Sequence, residues 1–161
     1  MIINQLQKNL WLHILCFFIF FGVFLWAGIH QIYHQDEYRW VEMALRIHDN
    51  PIDQPPLVPF LYSIIIKLFG SSMMRLLPAF FGLTNLVLVY LIAHRLSGRK
   101  IIGVIATGLF AITSYSLIAS LQIDIDGAIL PFFVLASLYC YLRFRQGDKR
   151  WVWLLGVALI G

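Results

Sequence analysis

Two pairs of carboxylates, Asp36 with Glu37 and Asp124 with Asp126, are the residues of this chain best suited to acid–base chemistry. The first pair opens the longest polar interval, Gln35 to Leu57, which holds five of the eight acidic residues: Asp36, Glu37, Glu42, Asp49 and Asp53. Asp36 could act as a general base, taking a proton from an acceptor hydroxyl at a lipid surface. The pair could equally cap a helix, since free amides and the helix dipole favour carboxylates there. A strong cap lowers a carboxylate's pKa and weakens it as a base. Asp124 and Asp126 would suit a turn for structural reasons alone. Asp126 is the more membrane-embedded of the two, and a carboxylate near hydrocarbon needs a partner or a substrate. Arg75, and less so Lys67, could receive a lipid phosphate or simply extend to the interface. Asp53 with His34, His48, Asp36 or Glu37 offers oxygen and imidazole ligands to a divalent metal ion, although the spacing matches no compact metal motif.

The elements that must hold these groups are apolar. Of the 161 residues, 60% are hydrophobic, 16% aromatic and 12% charged, a balance that fits a lipid-embedded protein. The formal net charge of +4 does not point to nucleic acid, because the basic residues cluster in two short connections between apolar runs. Cys16 and Cys140 lie inside apolar segments and behave as small hydrophobes. No glycine-rich phosphate loop and no nucleophile elbow is present, which argues against nucleotide hydrolysis and serine-hydrolase chemistry.

Spans are expected at about 10–29, 76–94, 101–121 and 126–142, with a further run from Trp151 that stops at Gly161. That last run predicts that residues 1–161 are the N-terminal part of a longer transmembrane domain. Residues 30–75 form the outer loop. Within it, Asp36 to His48 has the pattern of a short amphipathic surface helix, with Trp40, Ala44 and Ile47 on one side and Glu42 and Arg46 paired on another. Asp49, Asn50 and Pro51 end it. The proline pair Pro55 and Pro56 leads into a second helix, about Leu57 to Phe69, too short to span comfortably. Ser71 and Ser72 are placed to cap the next helix. Thr84, Asn85, Thr113, Ser114 and Ser116 fall within spans, where they are expected to join helices.

Counting four spans with Lys8 inside puts both basic turns inside, Arg95 to Lys100 and Arg143 to Arg150. The loop 30–75 and the turn at Asp124 to Asp126 then share the outer face. Two acidic pairs far apart in sequence are thereby predicted at one depth. The fold class expected is all-α and integral to the membrane: a polytopic helical bundle with an outer-face loop carrying amphipathic or interfacial helices.

The order of these features resembles the N-terminal part of GT-C glycosyltransferases, in the protein O-mannosyltransferase and aminoarabinose-transferase-like branch. A first span is followed by QDEYRWVEMAL, then DQPPLVPFLYSIIIKLFG, then MMRLLPAFFG opening a span, then LQIDIDGAILPFF at a turn. The resemblance covers nearly the whole chain from the first span onward. It implies an enzyme that moves a sugar, with inversion, from a polyprenyl-phosphate donor to a lipid, glycan or protein acceptor on the outer face. It also implies Asp36 as the catalytic carboxylate with Glu37 beside it, Asp126 as the second acidic position, and Asp124, Arg75, Gln54, Pro55 and Pro56 on the substrate. Asp53 matches an acidic position that can help hold a metal, here with Asp36; a divalent ion is the one cofactor implied. Where relatives carry Lys or His before the proline pair, this chain has Gln54, so a cationic contact to the donor phosphate is lost or has moved to Arg75. The membrane implied is a bacterial inner membrane with the active side periplasmic.

Two rivals are weighed against this reading. A non-enzymatic multi-span protein, a transporter subunit or scaffold, would use the outer loop to bind a partner and the acids as caps. A lipid flippase component would carry ionisable groups deep in its spans, where this sequence has only uncharged polar residues.

Overall fold

The computed structural model describes residues 10–29, 35–46, 57–152, 154 and 156, and every regular element among them is helical. Helix α1, Leu10–Ile29, is apolar apart from His13, with no acidic residue in its first turn and no basic one in its last. Helix α2, Gln35–Leu45, carries Asp36 and Glu37 in its first turn, where the helix dipole favours them. Glu42 and Arg46 pair at 3.3 Å on its exposed side, and Ala44 is buried with Trp40 and Val41 packed against the same core. The surface-helix expectation is met as far as Arg46; its proposed end at Asp49 to Pro51 lies outside the described residues.

Helix α3, Leu57–Phe69, accepts Pro59 because a proline in the first turn breaks no intrahelical hydrogen bond. Its 13 residues give a length of about 20 Å. It stops at Gly70, whose φ of 87° is a conformation that side chains with a Cβ rarely adopt. The expected serine cap does not form: Ser71–Met73 make a 3-10 turn, and the residue before the next helix is Arg75, with no side-chain cap. A serine must stand directly before the first turn to reach its amides, and here Met73 to Arg75 intervene.

Helix α4, Leu76–Ser97, is the hub, packing on α1, α3, α5, α6 and α7. Its 22 residues reach about 33 Å. Among the described residues, Ser71–Ser97 is the one stretch long and apolar enough to cross a membrane, while Phe18–Ile29, Leu57–Phe69 and Lys100–Ala111 are shorter apolar helices. Gly98 closes α4 in the left-handed conformation, its N–H bonded to His94 O at 2.8 Å.

The run expected as one span over 101–121 is divided. Helix α5, Lys100–Ala111, ends at Ile112, and the six-residue α6, Ser114–Ala119, starts afresh. The cause is local: the Thr113 side chain accepts from Ser116 N–H and donates to Phe110 O, competing with the continuous backbone ladder. Helix α7, Ile129–Arg145, follows the turn that carries Asp124 and Asp126.

Two apolar clusters hold the assembly. Phe21 and Leu25 of α1 meet Ala79 and Leu86 of α4, Ala111 of α5 and Leu121. Val58 and Tyr62 of α3 meet Met74, Leu77, Phe81 and Ile123. Outward-facing Phe80, Leu109 and Val134 leave an apolar exterior. The two ends of α4 meet different groups. Arg75, at the start of α4, meets Glu37, whereas Arg95 near its end bonds Gln146 among the basic turns.

Candidate active site

Helix α2 starts against the beginning of α4 and the turn after α6, and this places its two adjacent acids in different surroundings. Glu37 is buried, with 2% of its surface exposed. Its Oε2 accepts from Arg75 Nη2 at 2.7 Å, and its Oε1 accepts from the Ile123 N–H at 2.9 Å. Those partners lie 38 and 86 residues away in sequence. Asp36 is exposed, and among the described residues no hydrogen bond or ion pair engages it.

Both acids line a cleft of about 510 Å³. Arg75 and Gln122 supply the rest of its polar wall, and Phe24, Ile118 and Leu121 the apolar wall. The cleft therefore has one open carboxylate, one carboxylate neutralised by a buried guanidinium, and an apolar side.

The turn between α6 and α7 is fixed by its backbone. The Tyr62 hydroxyl donates to Asp124 O at 3.2 Å, Tyr115 to Asp126 O at 3.2 Å, and Asn85 Nδ2 to Ala128 O at 2.9 Å. Asn85 thus joins α4 to the start of α7, as a polar group inside an apolar helix should. Asp124 folds back on the turn, its Oδ1 accepting from Gly127 N–H at 2.6 Å. Asp126 is exposed and does not line the cleft.

Gly127 is required by close approach rather than by φ. A Cβ there would lie 2.8 Å from the Ala119 carbonyl oxygen and 2.6 Å from Asp124 Oδ1. Gly127→Ala is expected to destabilise the protein by about 1–3 kcal/mol, the usual cost of overpacking. Thermal unfolding in detergent measures it, and an unchanged midpoint would mean that the turn yields freely.

Burial pushes the Asp124 carboxyl above its ordinary value near 3.8; the Gly127 N–H opposes this, and Asp126 and Glu37 add repulsion. The folded state therefore holds the proton more tightly than the unfolded chain. The resulting stabilisation is complete below about 3.8 and is lost as pH rises through the folded-state value. Asp124→Asn keeps an acceptor for Gly127 and removes the ionisation. Its melting temperature, relative to wild type, should climb across that window and then level off. A difference that stays flat with pH would contradict the shift.

Of the residues singled out in the sequence, Asp36, Glu37 and Arg75 meet in the cleft, while Asp124, bonded within its turn, and Asp126 are not among its lining residues. Gln54, Pro55, Pro56 and Asp53 lie outside the described residues, as do His34 and His48. Among the described residues no group of three or more His, Cys, Asp or Glu is placed to hold a metal ion. Sequence reasoning did not single out Gln122 as lining, nor Tyr62 and Tyr115 as fasteners. A phenol within an apolar helix was the available signal for Tyr62, because a buried hydroxyl needs a partner.

The family model for dolichyl-phosphate-mannose-protein mannosyltransferase matches residues 70–161, more than half of the chain. No curated protein and no solved structure matches it. The matched segment contains Arg75, Gln122, Asp124 and Asp126, and Glu37 is bonded to two of its residues. On that match the chain belongs to the dolichyl-phosphate-mannose-protein mannosyltransferase family, whose members are integral-membrane glycosyltransferases.

Proposed function

We propose that this protein transfers a sugar, mannose by the family description, from a polyprenyl-phosphate donor to a hydroxyl acceptor at the outer face of a membrane. The observation that carries the reading is the open Asp36 carboxylate in a cleft whose other acid is neutralised. The acceptor oxygen attacks the anomeric carbon as its proton passes to Asp36, and the bond from that carbon to the donor's phosphate oxygen breaks. One displacement inverts the anomeric centre. The apolar wall formed by Phe24, Ile118 and Leu121 suits the lipid side of the donor, and Arg75, paired with Glu37 through Nη2, is assigned to its phosphate through the rest of the guanidinium fork. Gln54, Pro55 and Pro56 are assigned to substrate through the chain leading into α3. Asp126 is assigned as the second acidic position, exposed and outside the cleft lining.

The described residues do not by themselves fit a metal, since Glu37 and Asp124 already serve Arg75, Ile123 and Gly127. An ion held by Asp36 with Asp53 is the arrangement proposed. Transfer that survives chelation unchanged would remove it.

Helix α4 crosses the membrane in this reading, with α1, α7 and the α5–α6 pair as the other spans and the basic turns inside. The membrane proposed is a bacterial inner membrane with the cleft facing the periplasm. The test is transfer of labelled mannose from a polyprenyl-phosphate donor to peptide, glycan or lipid acceptors, in membranes carrying the full-length protein. Donor-dependent transfer supports the reading. None from any donor tested would turn attention to partner binding by the outer loop.

A further inference from the structure

We propose that Glu37 is a positioning residue that sets the spacing between the helix carrying Asp36 and the turn carrying Asp124 and Asp126. This rests on the reading of the cleft as the active site. Both of its carboxylate oxygens are engaged, one by Arg75 at the start of α4 and one by the Ile123 amide, and both side chains are 3% exposed or less. One side chain therefore joins three segments that are distant in sequence. Neither apolar cluster could fix this joint as sharply, because hydrophobic packing is non-directional whereas a charge-assisted hydrogen bond has a set length and angle. The turn is braced from its other sides by Tyr62, Asn85 and Tyr115. Of these groups, Glu37 is the one that links the turn to α2. Asp36 is the next residue on α2, so a change in the reach of Glu37 moves the open carboxylate relative to whatever the turn holds.

Reach and charge can be separated. Glu37→Asp keeps the charge that balances Arg75 but shortens the arm by one methylene, so it cannot meet Arg75 and Ile123 together without moving α2. In the full-length protein, hydrogen exchange of a peptide containing Ile123 should quicken about tenfold or more. The kcat for sugar transfer should fall about tenfold to a hundredfold, as for an ångström-scale misplacement, with the donor KM within about twofold of wild type. Arg75→Lys, which keeps the charge and loses the guanidinium fork, should speed the same exchange and serves if Glu37→Asp does not fold. Unchanged exchange at Ile123 in both variants would overturn the joint. Faster exchange with wild-type kcat would reduce Glu37 to a structural role and overturn the positioning claim. If the wild-type protein transfers no sugar, the functional reading fails, and the exchange arm still decides whether the joint exists.

Discussion

Asp36→Asn is expected to lower sugar transfer by about 10²–10⁴-fold, the usual contribution of a positioned general base, while the protein inserts and melts like wild type. The expectation of unaltered folding follows from exposure: Asp36 has no bond among the described residues, so the isosteric amide breaks nothing. Its loss from the first turn of α2 removes a dipole interaction of about 0.3–1 kcal/mol, too little to unfold the protein. An effect confined to kcat, with KM little changed, is the expected signature of a lost base, whereas loss of an ion held by Asp36 with Asp53 would also make the residual rate insensitive to chelation. Labelled transfer at matched protein amounts measures it, with Asp126→Asn as the comparison. Asp126 is exposed and off the cleft, so its loss should cost less. Full activity in Asp36→Asn would remove the base assignment, and a larger loss in Asp126→Asn would move it to the turn.

Much of the helical layout was legible because it is written in local pattern. The bounds of α3 fall at Leu57 and Phe69, where the proline pair and Gly70 placed them. The Glu42 and Arg46 pair and the packing of Trp40 and Ala44 follow from helical spacing alone. The break between α5 and α6 was also in the sequence, in Thr113 followed by Ser116, but a hydropathy reading passes over a cap inside an apolar run. The different fates of Asp36 and Glu37 were not legible. As neighbours on α2 they point about 100° apart around the helix, and what each meets depends on Arg75 and Ile123, 38 and 86 residues along the chain. Spacing predicted that the two acidic pairs share one face. It could not show that one acid of the first pair is closed by an ion pair and the other left open.

That closed acid makes Arg75→Met the substitution with the largest expected effect on stability. The pair is almost fully buried, at 3% exposure on either side and 2.7 Å apart. Removing the guanidinium takes from the Glu37 carboxylate its 2.7 Å ion-pair partner at a site where desolvation is costly. Breaking one side of such a pair costs about 3–5 kcal/mol, whereas replacing both partners by neutral groups of similar shape is often close to neutral. Arg75→Met should therefore lower the unfolding midpoint in detergent and the amount of protein recovered from membranes. Glu37→Gln added to Arg75→Met should restore most of both, because an amide oxygen can still accept from Ile123 N–H. The double variant isolates charge from packing, since methionine fills much of the volume left by the arginine stem. A single variant as stable as wild type would show that water reaches the Glu37 carboxylate. A double variant no better than the single would place the loss in packing around Met74 and Leu77 rather than in the broken ion pair.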